Sequence, residues 1–155
     1  MPGKKIIISN NQEETIKIAY NIASKLSGGE VIALSGDLGS GKTTFAKGIA
    51  EALHVKEKIT SPTFVLLKMY SAHLPKMASN IKYLIHADCY RLKKVHDIES
   101  IGLEEYLHDI NCVCVIEWAE KIKKFLGRDV IKIKFIHTSK NKRKIIIKDK
   151  NDTCN

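Results

Sequence analysis

The sequence predicts a single α/β domain, on three observations. At 155 residues and 44% hydrophobic, the chain is about one domain long and able to bury a core, and no linker, repeat or low-complexity block divides it. A wholly apolar run, Val31-Ile32-Ala33-Leu34-Ser35, passes directly into a glycine-rich loop and then into residues at helical spacing. A second such run, Cys112 to Ile116, ends in Glu117. Short apolar runs of this kind suit central strands of a covered sheet.

Taken in order, Lys4 to Ser9 forms a strand. Asn10 or Asn11 caps the helix after it, with Glu13 and Glu14 in the first turn, where the helix dipole favours acids. Ile16, Ala19, Ile22, Ala23 and Leu26 line one helical face, and Gly28-Gly29 ends the pattern. After the apolar strand and its loop, a helix starting near Lys42 buries Phe45, Ile49, Ala50 and Leu53. Thr63 to Tyr70 and Lys82 to Asp88 follow as strands, joined by a loop over Ser71 to Asn80. Ile98 to Leu107 is helical, Cys112 to Trp118 a buried strand, and Ala119 to Leu126 a short helix. Val130 to His137 and Arg143 to Lys148 make a hairpin across Ser139 to Lys142. The domain is expected to span 1–150, with 151–155 a disordered polar tail.

Composition narrows the classes. No apolar run approaches the ~20 residues that span a bilayer, and the apolar stretch after Lys4-Lys5 is too short for a secretion signal. A cytoplasmic protein without membrane contact is expected. The four cysteines lack zinc-site spacing and suit buried, reduced thiols. The net charge of +9 would attract RNA, acidic lipid or an acidic protein. However, lysine far outnumbers arginine (Arg91, Arg128 and Arg143) and aromatics are only 6%, whereas nucleic-acid readers lean on both. General solvated lysine is the favoured reading. The cluster Lys140, Lys142, Arg143 and Lys144 is read as a solvated hairpin tip, with RNA binding as its alternative.

The loop carries chemistry. Gly36, Gly41, Lys42 and Thr43 satisfy Gly-x-x-x-x-Gly-Lys-[Ser/Thr], between a strand and a helix as the mechanism requires. Glycines let backbone N–H groups turn inward around a phosphate, and the helix N-terminus adds partial positive charge. Lys42 is the point charge for the outer phosphates, and the Thr43 hydroxyl is a magnesium ligand. These features predict a P-loop NTPase-like domain, a central sheet flanked by helices, that binds a nucleoside triphosphate with Mg²⁺.

Magnesium needs a carboxylate at the end of a neighbouring strand. Asp88 and Glu117 both qualify, and pattern does not choose between them. His86 shares a strand face with Asp88 and is read as structural rather than as a ligand, while Trp118 is either core or a cover for the nucleotide. Asn141-Lys142-Arg143-Lys144 lacks the acid that would read guanine, which removes a switch GTPase. A small-molecule kinase and an ATPase that drives a partner's cycle stay open.

Five segments in order decide further: Gly36-Asp37-Leu38-Gly39-Ser40-Gly41-Lys42-Thr43-Thr44-Phe45, Ser61-Pro62-Thr63-Phe64, His86-Ala87-Asp88-Cys89-Tyr90-Arg91-Leu92, Ile101-Gly102-Leu103-Glu104-Glu105-Tyr106 and Ile116-Glu117-Trp118. Together they resemble the TsaE (YjeE) family of bacterial ATPases required to make threonylcarbamoyladenosine in tRNA. The resemblance implies a mixed central sheet, parallel in part with antiparallel strands at one side. It also implies slow, partner-stimulated hydrolysis of ATP with Mg²⁺, which resets the TsaB–TsaD transfer complex between cycles. Contact with tRNA would be indirect, through that complex, and the free chain would be a monomer.

By the same resemblance Lys42, Asp88 and Glu117 would be catalytic, and Thr43, Asp88 and Glu117 would surround the metal. Gly36, Leu38, Gly39, Ser40, Gly41, Lys42, Thr43, Thr44, Trp118 and Arg143 would hold the nucleotide, and Ser61 and Thr63 would lie in a mobile segment near the γ-phosphate. This chain departs from the family pattern at Ala87, Cys89, Ala119 and Lys142 and in a somewhat long loop over Ser71 to Asn80, and none of these departures removes a charged or hydroxyl group from the nucleotide site.

Overall fold

The computed structural model describes residues 3–62, 66–75 and 77–150; the predicted roles of Thr63 and of the tail 151–155 lie outside the described residues. Among the described residues seven strands form one sheet: β1 (Lys4–Ser9), β2 (Val31–Gly36), β3 (Leu67–Ser71), β4 (Tyr83–Asp88), β5 (Cys112–Glu117), β6 (Ile131–His137) and β7 (Arg143–Lys148). Their order is β1-β7-β6-β2-β5-β4-β3. The four central strands, β6, β2, β5 and β4, run parallel. Antiparallel strands close both edges, β7 and β1 on one side and β3 on the other, rather than one side alone. The reason lies in the connections: β3 reaches β4 through a loop, with no crossover helix, and only an antiparallel pair can be joined so directly.

Helices α1 (Gln12–Ala23) and α2 (Lys42–Ala52) pack together on one sheet face. Asn11 caps α1, its side chain accepting from Glu14 N at 2.8 Å, while the Glu14 carboxylate accepts from Asn10 N at 2.7 Å. Gly48 lets α1 and α2 approach. A Cβ there would meet Ile16 O at 2.4 Å and Ala19 Cβ at 2.6 Å, so no larger residue fits without moving a helix. The predicted apolar residues Phe45, Ile49, Ala50 and Leu53 are all buried in this layer.

On the opposite face, the expected helix over Ile98 to Leu107 is two elements. Helix α3 (Val95–Ile101) stops at Gly102, which takes the left-handed conformation, and a 3-10 turn over Leu103–Glu105 follows. Likewise Ala119 to Leu126 divides into a 3-10 turn, Ala119–Ile122, and the short helix α4 (Lys123–Leu126). Leu103, Ala119, Ile122 and Leu126 from these pieces cover Val31, Ile85, Cys114 and Ile116 of the parallel strands. Cys89, Cys112 and Cys114 are buried free thiols, as their sequence context predicts. No helix among the described residues is long and apolar enough to cross a membrane.

The parallel strands also position the chemistry. Gly36, Asp88 and Glu117 end β2, β4 and β5 on the same side of the molecule, where open α/β sheets bind ligands.

Candidate functional site: a cleft at the carboxyl ends of the parallel strands

Gly36 to Gly41 turn the chain from β2 into α2. Gly41 is the helix N-cap at φ 109°, a conformation that favours glycine. Lys42 is the first helical residue, and its ammonium folds back to donate to Gly36 O at 2.7 Å, Asp37 O at 2.8 Å and Ser40 Oγ at 3.3 Å. It also stands 4.2 Å from the centre of the Trp118 ring. Burial lowers the Lys42 pKa below the ordinary lysine value, opposed by the nearby charges of Glu117, Glu120, Asp88 and Asp37.

Both candidate carboxylates reach this point, because Asp88 and Glu117 are register partners on adjacent parallel strands. The Thr43 hydroxyl lies 3.0 and 3.1 Å from the two Glu117 oxygens and donates to that carboxylate. The Asp88 carboxylate accepts from Ser61 Oγ at 3.0 Å and from Tyr90 N at 2.9 Å. His86 is buried and its Nε2 lies 2.8 Å from Glu117 Oε1, which fixes the orientation of the acid from behind; its Nδ1 has no hydrogen-bond partner among the described residues. Glu117 thus links the phosphate loop, through Thr43, to the interior of the sheet, through His86.

Arg143 opens β7 and is buried, and its guanidinium closes the far side of the loop. A Cβ added at Gly41 would stand 3.1 Å from Arg143 Cδ and Nη1. Among the described residues Arg143 Nε and Nη1 have no hydrogen-bond partner, so the buried cation has open donors beside the loop. Trp118 departs from ordinary backbone geometry at φ 55°, ψ 39°, a costly conformation for a bulky residue and one that clusters at functional sites. That turn swings its ring against Tyr90, with centroids 4.9 Å apart.

These groups line a cleft of about 470 Å³, within the range of small-molecule sites. Of the predicted residues, Leu38, Gly39, Ser40, Gly41, Lys42, Thr43, Thr44, Ser61, Asp88, Glu117, Trp118 and Arg143 all contribute to its walls. Gly36 does not: it lies beneath the loop, where a Cβ would meet Phe135 O at 2.6 Å, and its carbonyl holds Lys42. Sequence reasoning assigned no role to Gln12, Leu66, Tyr90 or Arg91, which also line the cleft. Tyr90 and Arg91 could have been found, since they follow Asp88 within one motif. Gln12 has no local signal, because α1 alone brings it across the loop.

A family model, "Threonylcarbamoyl adenosine biosynthesis protein TsaE", matches residues 9–145, which contain every residue of the cleft. The chain belongs to the TsaE family. Curated TsaE proteins resemble it over most of its length. That of Bacillus subtilis is 38% identical, covering 87% of this chain and 79% of the relative, and that of Treponema pallidum is 34% identical, covering 90% and 97%. The crystal structure of Bacillus subtilis YdiB superposes with a TM-score of 0.78 at 32% identity, covering 98% of this chain and 89% of that one. Together with the mixed sheet, this establishes the P-loop NTPase-like α/β fold of this TsaE-family chain.

Proposed function

We propose that this TsaE-family chain is a Mg²⁺-dependent ATP hydrolase of the cytoplasm that serves threonylcarbamoyladenosine formation in tRNA, cycling a TsaB–TsaD transfer complex by binding and hydrolysing ATP. It would be monomeric when free and would meet tRNA through that complex. The observation that carries the reading is one cleft where a helix N-terminus, Lys42 and the open donors of buried Arg143 converge beside a Thr43–Glu117 pair. Positive groups gathered beside a helix N-terminus fit a polyphosphate. The Thr43 hydroxyl and the Glu117 and Asp88 carboxylates in the same cleft fit magnesium, which takes oxygen ligands.

Each residue then has a task. Thr43, with Asp88 and Glu117, would hold the metal, which supplies charge neutralisation at the phosphate oxygens. Lys42 leaves the carbonyls of Gly36 and Asp37 and turns its ammonium to the phosphates. Arg143 neutralises charge from the other side of the loop. Asp88 and Glu117 orient the attacking water, and His86 keeps Glu117 in place. Trp118 and Tyr90 offer aromatic faces at the mouth of the cleft for the base.

The test is steady-state ATP hydrolysis by the chain alone and with cognate TsaB and TsaD. Slow turnover that rises with the partners and vanishes in Lys42→Ala is expected. Turnover indifferent to both partners would sink the assigned cycle, and phosphate transfer to a metabolite far faster than hydrolysis would replace it with a kinase.

A further inference from the structure

The sheet is covered unevenly. On the face opposite α1 and α2, the small helices cover the parallel strands β2, β5 and β4, and among the described residues none of them covers β1, β7 and β6. The register of these three strands sets alternate residues in cross-strand rows on that bare side. Lys4, Lys148 and Lys132 form one row, and the next two rows add Lys134 and Lys144 among four isoleucines, of which Ile6 and Ile8 are each 50% exposed. Five ammonium groups share these rows, and among the described residues no carboxylate stands in them. Glu120 stands at its inner margin, in a recess shared with Lys123 and Lys132.

We infer that this face is a sequence-independent docking surface for the phosphate backbone of RNA. Like charges placed directly opposite one another across strands repel, so the free face is unfavourable and a polyanion relieves it. A second copy of the chain is excluded as occupant, because a two-fold contact would set five lysines against five lysines. Strand spacing of ~4.8 Å and a rise of ~3.4 Å per residue make the patch roughly 15 Å square. That is far below the ~800 Å² per partner of a stable protein interface, and four isoleucines are too few for its apolar centre. Phosphate contacts need no such area, since each lysine gains affinity separately by releasing counter-ions. The isoleucines keep the surface flat between the lysines, and the absence of aromatic side chains from these rows points to backbone contact rather than base stacking.

The surface also differs from the basic cluster visible in the sequence. Arg143 of that cluster turns to the cleft, while Lys144 joins lysines far away in the chain; Lys140 and Lys142, exposed at the hairpin turn, extend the charge outward. The inference goes beyond the proposed function, which brings tRNA to this chain only through its partners, and it does not depend on the ATP site.

The test measures binding of the full chain to labelled unfractionated tRNA by fluorescence anisotropy across a KCl series. Binding at about 50 mM KCl with a log–log salt slope near −4 is expected for five lysines. The variant Lys132→Glu/Lys134→Glu/Lys148→Glu should lower that slope by about three. The variant Lys17→Glu/Lys47→Glu/Lys56→Glu changes net charge equally at exposed positions away from this face and should leave most of it. Thermal melts check that both variants fold. No binding by the unaltered chain, or equal losses in the two variants, overturns the proposal. Face-dependent binding to phosphatidylserine vesicles without tRNA binding would overturn it in favour of a membrane. Unchanged tRNA binding together with lost stimulation by TsaB and TsaD would overturn it in favour of a protein partner. If tRNA binds through the face while TsaB and TsaD leave ATP turnover unchanged, the surface stands and the proposed cycle falls.

Discussion

The parallel centre of the sheet and its antiparallel wing obey different rules in one continuous layer. In β5 all six residues are buried and the strand ends at a chemical group, Glu117. From Lys132 to Ile136 of β6 exposed and buried residues alternate, and the exposed ones there are two lysines and an isoleucine. Helices on both faces dry the centre and make a carboxylate at its end a defined object, held by Thr43 and His86. One bare face leaves the wing wet and makes its charge collective. The lesson is that position in the sheet decides whether a polar side chain acts singly or as part of a field.

The largest effects belong at the centre. Lys42→Ala should reduce ATP turnover about 100-fold or more, as expected for loss of a preorganised charge, with the melting temperature nearly unchanged. An equally active variant would separate the loop from the chemistry. Next, His86→Ala should reduce kcat by about tenfold or more, with KM for ATP little changed and partial recovery in His86→Gln, as for a partner that orients a functional carboxylate. A fall in thermal stability with kcat intact would leave His86 a packing residue only.

On the covered face, Gly48→Ala should destabilise by about 1–3 kcal/mol in urea denaturation, because the added methyl overlaps Ile16 O and Ala19 Cβ. A smaller loss would mean that α1 and α2 separate easily. Burial raises the Cys89 and Cys114 thiols to about 12. The folded protein therefore keeps protons that the unfolded chain releases near the ordinary thiol value of about 8.5. This contribution is fully present below that value and is lost as pH rises toward 12. Near pH 8 both thiols should resist maleimide until denaturant is added, as read by mass spectrometry; rapid labelling of the native protein would show that the layer over β4 and β5 opens.

The smallest effect tests the wing. Lys148→Glu places an acid between Lys4 and Lys132 and should stabilise by a few tenths of a kcal/mol at low salt. The gain should shrink as salt is raised.

Much was legible in the chain itself. The phosphate loop, the apolar strands around it and the Asn11 cap are local, and each was visible because hydrogen bonding and side-chain periodicity act over a few residues. Element ends were less so: Gly102 breaks one expected helix, and a left-handed Trp118 turns the chain where strand and helix were expected to meet smoothly. Asp88 and Glu117 were equivalent by pattern. Only strand register brought Glu117 to Thr43 and Asp88 to Ser61.

The sequence by itself determined the fold class, the glycine-rich loop between strand and helix and the acids at strand ends, because those depend on neighbours along the chain. Tertiary structure alone decided that antiparallel strands close both edges, that Gln12 joins the cleft and that Arg143 turns inward to it. It also decided that lysines from β1, β6 and β7 share one face. Each of these depends on which strands lie side by side, and strand pairing joins residues more than a hundred positions apart whose local patterns carry no record of one another.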